Sequence, residues 1–342
     1  MTTTPTLDII IPVWNRPVET RACLVSILES TDTARLLIIN NGCDRATELM
    51  LEEFSDHLGE RAIYMTMERN IGFVPAVNRA LVRSDADWAL LVRPTGLLTA
   101  DCLQQLLAAA AQPHAGIVTP DCPAEYALPR HLVKYRCSSI ETTELGFSVL
   151  GLAREMRERV GLFDEALDGG PWCLRDYRHR ADAGGFRTLL LPLVSVSGEA
   201  ATLLGSLERR RKLEETAAEL FRQRWGVPQH FAVYLPKETD EQKLQATLEL
   251  LLTAARRGHC FELFLHRRQY KQAVLQGGGC LHTGIALHRL PALSPLKGLV
   301  RAMRELQQRI PQLQAVCGLD DVPFPGYDTA LPSDALVRLT IS

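Results

Sequence analysis

A chain of 342 residues is too long for one hydrophobic core of ordinary size, so two domains are expected. Its 46% hydrophobic and 23% charged content is that of a soluble globular protein, which argues against disorder and against membrane-spanning architecture. A net charge of -2 gives nucleic acid or an acidic membrane no general attraction.

The nine cysteines are odd in number and scattered, with no CxxC pair and no histidine at zinc-like spacing, so reduced thiols are expected. The opening MTTTPTLD has no basic segment followed by an apolar core. No apolar run approaches the ~20 residues of a membrane helix. A cytoplasmic location is the resulting expectation.

In chain order, LDIIIPV over 7–13 reads as a buried strand followed by a loop at Trp14, Asn15 and Arg16, and 19–29 has helical spacing at Leu24, Ile27 and Leu28. A second strand over 36–39 runs into Asn40, Asn41 and Gly42, whose chemistry is that of a turn, and a helix follows through Leu49 and Phe54. A third strand over 62–67 ends near Asn70 and Gly72, and a helix over 74–82 leads to a fourth strand. That strand, Trp88 to Val92, is an unbroken apolar run and is expected to be fully buried. It stops at Arg93, Pro94, Thr95 and Gly96. Four strands alternating with helices define an α/β fold with a parallel sheet, whose loops gather on the carboxyl edge where such sheets bind ligands.

Further on, 205–224 reads as an amphipathic helix, and Trp225, Gly226, Val227 and Pro228 mark a domain boundary. Beyond it, strands are expected over 231–235, 260–266, 283–290, 313–318 and 335–341, with helices over 238–257 and 296–310. This is a second, smaller α/β domain of Rossmann-like pattern. The expected division is therefore 1–227 (core 7–200, helical extension 201–227) and 228–342.

The stretches IIIPVWNR, LLIINNG, RNIGFVPAVNRAL and WALLVRPTG, in this order, resemble the nucleotide-sugar half of family 2 glycosyltransferases, which have the A-type glycosyltransferase fold. The likeness continues through RERVGLFDEALDGGPWCLRDYRHRADAGGFR, similar to the family's stretch with its acceptor-side acid. Together these cover roughly the first 200 residues. The resemblance implies an inverting transfer of sugar from a nucleotide diphosphate donor to a glycan, lipid or protein acceptor, with magnesium or manganese as the family's usual cofactor.

This sequence departs from the family at its acids. Asn40 stands where an acidic residue usually reads the base, and Arg93, Pro94 and Thr95 stand where an Asp-x-Asp or Asn-x-Asp motif usually holds the metal. The family's acidic pair and following Asp align with Cys173, Leu174 and Asp176, so only the last acid survives. Ser197 or Gly198 occupies the place of a common metal-binding histidine. No metal is therefore expected. The triplet Asp85, Ala86, Asp87 precedes its strand and reads as a solvated turn at the opposite edge.

Each candidate has a functional and a structural reading. Pro12, Trp14 and Asn15 frame a nucleobase pocket, or Trp14 simply packs under a loop. Asn40 and Asn41 read the edge of a base, or form a plain Asn-Gly turn. Asn70 and Gly72 belong to the donor-binding set, with Thr95 beside Arg93. A guanidinium can replace a metal as the partner of a diphosphate, so Arg93 is a catalytic and donor-binding candidate; otherwise it pairs with a carboxylate. Asp176 is the candidate general base, or a helix-start cap or partner of Arg180. Asp168, with Gly169 and Gly170, suggests an acceptor loop or a simple connection. The Arg209, Arg210, Arg211, Lys212 run reads as a solvated helix face, with a phosphate or lipid headgroup as the other option. The rival to an enzyme is a non-catalytic protein that binds a nucleotide sugar, a glycan or a protein partner through the same scaffold. Nucleic acid is excluded as a partner, and membrane contact is at most peripheral.

Overall fold

The computed structural model describes residues 5–340 except 130, 131, 133, 134, 169, 197–206, 320, 321 and 328. The chain divides into two compact units: Met1–Leu128 with Glu144–Gly226, and Pro129–Thr143 with Val227–Ser342. The sequence reading placed all of 1–227 in one domain. Residues 129–143 instead leave the first unit and return, because their contacts are with the second.

Unit 1 begins with β1 (Leu7–Val13), α1 (Pro17–Ser30), β2 (Arg35–Asn41), α2 (Arg45–Leu58), β3 (Ala62–Met67), α3 (Phe73–Leu81) and β4 (Trp88–Val92). It continues with α4 (Ala100–Ala110) and β5 (Ala115–Asp121). The excursion carries the short β6 (Ile140–Glu141); unit 1 then resumes with β7 (Val149–Ala153), α5 (Arg154–Val160), α6 (Trp172–Ala183), β8 (Arg187–Ser195) and α7 (Leu207–Trp225). Its strands lie in the order β3-β2-β1-β4-β7-β5-β8. The first four are mutually parallel, so their carboxyl ends share one edge. Strand β7 runs antiparallel between β4 and β5. Asp85 and Asp87 lie at the opposite edge, as expected, where Asp87 accepts from the Thr6 amide and hydroxyl at 2.8 Å.

All five residues of β4 are buried, and Ile9, Ile10 and Ile11 beside them are fully inaccessible. Two buried faces explain the apolar runs: helices cover both sides of a parallel sheet. Pro12 is not in a loop. It lies within β1 opposite Ile39, and β4 pairs with β1 only as far as Ile10, so the missing proline N–H falls beyond that ladder.

Unit 2 has a four-stranded parallel sheet in the order β11-β10-β9-β12. Its elements are β9 (His230–Tyr234), α8 (Glu241–Arg256), β10 (Cys260–Leu265), α9 (Arg267–Leu275), β11 (Ile285–Arg289), α10 (Pro295–Arg309), β12 (Leu313–Val316) and α11 (Asp334–Arg338). The last replaces the strand expected over 335–341, of which Ile341 lies outside the described residues. Leu336 is fully buried with Ala335 and Leu339 packed beside it, a helical spacing that a short apolar run conceals. One correction concerns the excursion. Cys137 and Cys280 form a disulfide, so these two are not the reduced thiols expected. Glu141 takes a bidentate ion pair from Arg256, with bonds of 2.6 and 2.7 Å.

Candidate functional site

The loops after β1, β2, β3 and β4 meet on the carboxyl edge of unit 1, and their side chains fasten them to one another. After β1, Asn15 and Arg16 both adopt left-handed conformations, with φ of 58° and 59°. Two such residues in succession cost of the order of 1–3 kcal/mol each unless held. They are held: the Asn15 amide donates to Cys43 Sγ at 3.3 Å, and Asn15 Oδ1 accepts from the Asp44 amide at 2.7 Å. Trp14 is half-buried and packs against the core.

Asn40 and Asn41, candidates for reading a base, are buried and engaged. Asn40 donates to Tyr64 Oη at 3.1 Å and accepts from the Cys43 amide at 2.9 Å. Asn41 donates to the Gly72 carbonyl at 2.9 Å and to Asn70 Oδ1 at 3.2 Å, while accepting from the Ile71 amide at 3.1 Å. Both are clasps between loops, and the base-reading roles expected of them are not open in this structure. Asn70 also accepts from the Gly72 amide at 2.9 Å. Gly42 has φ +70°, and a Cβ there would stand 2.4 Å from the Arg69 carbonyl carbon, so only glycine lets these two loops touch. Arg69 itself is exposed on this edge.

Gly72 precedes α3 and offers the helix no side-chain cap. Asp168 supplies one from a distance, accepting from the backbone amides of Phe73 and Val74. At φ +104°, a Cβ on Gly72 would lie 2.3 Å from Asp168 Oδ2. Burial nevertheless pushes the Asp168 carboxyl up to about 6, against the lowering effect of those amides. Sequence reasoning treated Asp168 as part of a loop, and nothing local to DGG gives away its partner 95 residues earlier.

The turn after β4 is closed. Arg93 is 8% exposed and Thr95 9%, with Pro94 and Gly96 also buried. The Arg93 guanidinium lies 3.5 Å from Glu125 Oε1 and 5.3 Å from the Phe147 ring centroid, and its Nε has no hydrogen-bond partner. Burial lowers its pKa, and Glu125 opposes the change. Glu125 also accepts from the Phe147 amide at 2.6 Å and makes a short bond with the Ser148 hydroxyl. Arg93 therefore pairs with a buried carboxylate that the sequence reading did not single out. Arg93 and Thr95 are not presented to a ligand here.

Asp176 is corrected as well. It is 0% exposed in α6 and accepts from Arg180 Nε at 2.8 Å, Arg224 Nη1 at 2.6 Å and Trp225 Nε1 at 2.9 Å. Three donors on its two oxygens and a complete lack of exposure make it a tie between α6 and α7 with no path to an acceptor hydroxyl. Asn78 is another clasp: its amide donates to the Phe163 carbonyl at 3.0 Å and accepts from the Phe163 amide at 3.1 Å. Among the described residues, no cluster of three or more His, Cys, Asp or Glu side chains is arranged to hold a metal ion. Ser197 and Gly198 lie outside the described residues, as do the side chains of Arg209 and Arg210; Arg211 pairs with Glu215 at 3.1 Å.

A mixed sheet with four leading parallel strands, helices on both faces and ligand-side loops gathered after β1 to β4 is the A-type glycosyltransferase fold. Residues 8–159 match the family described as glycosyl transferase family 2. Among solved structures, GalNAc-T7 with UDP, GalNAc and Mn2+ is similar with a TM-score of 0.51 at 14% identity, over 58% of this chain and 44% of that one. The mannosyltransferase PcManGT from Pyrobaculum calidifontis, in complex with GDP-Man and Mn2+, gives 0.48 at 16% identity, over 59% of each chain. S. aureus TarS 1–349 gives 0.46 at 12% identity, over 72% of this chain and 79% of that one. The alignments thus span less than two thirds of the first two chains. No match was found among curated proteins. No helix among the described residues is long and apolar enough to cross a membrane.

Proposed function

We propose that unit 1 acts in inverting glycosyl transfer, taking a nucleotide diphosphate sugar along the loops after β1, β2 and β3 without a divalent metal. The observation that carries this reading is the Arg93–Glu125 pair. In a site with two carboxylates at the end of β4, a diphosphate needs a cation to offset them. Here the floor is already neutral, so a diphosphate meets no charge that a metal must cancel. Buried and paired with Glu125, Arg93 makes no direct contact with the donor. The exposed Arg69, on the loop that touches Gly42, is the side chain placed to meet a phosphate.

Inversion requires a base. With Asp176 saturated, the half-buried Asp168 is the carboxylate on this edge whose proton affinity suits the task. In the transfer step, the acceptor hydroxyl gives its proton to Asp168 and its oxygen bonds to the anomeric carbon. The bond from that carbon to the diphosphate oxygen breaks, and its electron pair leaves with the nucleotide diphosphate.

A second reading is recognition without turnover, of a nucleotide sugar, a glycan or a protein partner. The closure of Asp176 by three donors favours it. Thermal unfolding with UDP or GDP and their sugars, in EDTA and in manganese, tests the shared claim. Binding at a hundredfold excess over Kd stabilises by about 2.7 kcal/mol. Equal stabilisation in EDTA supports metal-free binding, and none with any nucleotide counts against transfer and against recognition of a nucleotide sugar. Donor hydrolysis that is lost in Asp168→Asn, with binding kept, selects transfer; hydrolysis unchanged in that variant removes Asp168 as the base.

A further inference from the structure

Charge is unevenly distributed in unit 2. It holds 16 Lys and Arg against 11 Asp and Glu. From 250 to 304, nine basic residues face one acid, Glu262, and that acid is buried between His230 and His288. The near-neutral total conceals this asymmetry.

Much of this positive charge gathers at one edge. Strands β10 and β11 are parallel neighbours with Leu265 opposite Arg289, so Arg267 and Arg268 at the start of α9 leave the sheet on the same side as Arg289. All three are exposed. From Arg289 the chain makes the loop RLPALSPLK, in which Leu293 is 99% exposed and Leu296, on the first turn of α10, is 51% exposed. Leu299, Met303 and Leu306 turn inward and anchor α10. Its outer side, with Leu296, Lys297, Val300, Arg301 and Arg304, lines a shallow groove of about 430 Å³. Arg301 is offset by Glu305 at 2.9 Å, whereas Arg289, Lys297 and Arg304 have no ion-pair partner among the described residues.

A leucine held wholly in water in a loop that begins at Arg289 and ends at Lys297, both exposed, matches one environment well. Leucine side chains pass the headgroups of a bilayer while Lys and Arg remain at the phosphates. An acidic protein groove fits less well, because Leu293 projects from a loop tip and lines no concavity that a partner side chain would fill. We propose that the 289–297 loop and the outer face of α10 dock unit 2 peripherally on an anionic phospholipid surface, with Leu293 and Leu296 entering the interface. This inference is independent of donor binding in unit 1.

The test is co-sedimentation of the full chain with vesicles of phosphatidylcholine alone and of phosphatidylcholine with 30 mol% phosphatidylglycerol. Binding to the anionic vesicles alone, with release in 0.5 M NaCl, is expected. Leu293→Ser with Leu296→Ser should lower the partition coefficient at least tenfold, and Arg289→Glu with Lys297→Glu should abolish binding. All four side chains are exposed, and thermal unfolding checks that the variants fold. Absence of binding to anionic vesicles overturns the proposal, as does binding that is unchanged in the double serine variant. Competition by soluble poly-glutamate as complete as that by anionic lipid would point to an acidic protein partner and overturn it too.

Discussion

Arg93 and Glu125 stand 3.5 Å apart beneath the carboxyl edge of the sheet, 32 residues apart in sequence and both almost wholly removed from water. The pair occupies the end of β4, where the Arg93 guanidinium relies on the Glu125 carboxylate as its counter-charge.

Removing one partner should therefore be costly, and removing both should not. Glu125→Leu leaves a buried guanidinium without its carboxylate and is expected to lower stability by about 3–5 kcal/mol. Arg93→Met with Glu125→Leu is expected to lose much less than the sum of the single changes. Urea denaturation of the four proteins in a double-mutant cycle reads the coupling. Additive losses would mean that the pair carries no interaction of its own.

Asp176 behaves as a structural tie. Asp176→Asn removes the charge that Arg180 and Arg224 share, at a site with 0% exposure, and should cost about 3 kcal/mol of stability. Nucleotide binding by the fraction that stays folded should not change. A variant of unchanged stability whose hydrolysis of donor has vanished would restore Asp176 to the chemistry.

Two carboxylates give stability opposite pH dependences. Asp168 is held up to about 6, above its ordinary value, so between about pH 4 and 6 the folded chain binds more protons than the unfolded one, and stability falls as pH rises. The loss should be about 3 kcal/mol, complete by about pH 7 and absent in Asp168→Asn. Glu262 is lowered to about 2 by hydrogen bonds from His230 and His288, against the opposing effect of its burial. Its contribution is present above about pH 4.5 and is lost as pH falls toward 2. Thermal midpoints from pH 2 to 7 should rise and then fall, with Glu262→Gln removing the rise.

Reduction should weaken unit 2. The Cys137–Cys280 bond joins residues 143 apart, and a loop of that size corresponds to roughly 5 kcal/mol of denatured-state entropy before any native-state strain. Calorimetry with and without dithiothreitol should show the fall, and Cys137→Ser should reproduce it without reductant. Identical midpoints would mean that the segment is held by its other bonds, such as the Glu141–Arg256 ion pair and the Tyr135–Tyr270 hydrogen bond.

Strands β1, β2 and β4 were legible because two-sided burial leaves an apolar run, and the half-exposed edge strand β3 because its mostly apolar residues end at a turn with Asn70 and Gly72. Strand β7 was not legible, since VLGLA sits in a stretch whose direction depends on which neighbours close over it. Asn40, Asn41 and Asn70 lie on strand ends and loops gathered at one sheet edge, yet the partners of their amides were not legible, because such a side chain reads the same whether it faces a ligand or a neighbouring carbonyl. Arg93 announced a cation at the end of β4. Its partner Glu125 follows β5, and only the fold brings the two together. Asp176 was recognised as an acid, but its saturation depends on Arg224 and Trp225, almost 50 residues on.

The excursion of 129–143 makes the chain pass between its two units three times, at 128–129, 143–144 and 226–227. A ribosome therefore releases a piece of the second unit long before the rest of it exists. Cys137 must wait for Cys280 to be synthesised, and Glu141 for Arg256. Meanwhile the first unit can close around the two ends of the excursion. No single cut separates the units as complete bodies: cleavage after Gly226 strands the early segment with the wrong half. Limited proteolysis of the oxidised chain should accordingly yield fragments that stay covalently joined until reductant is added.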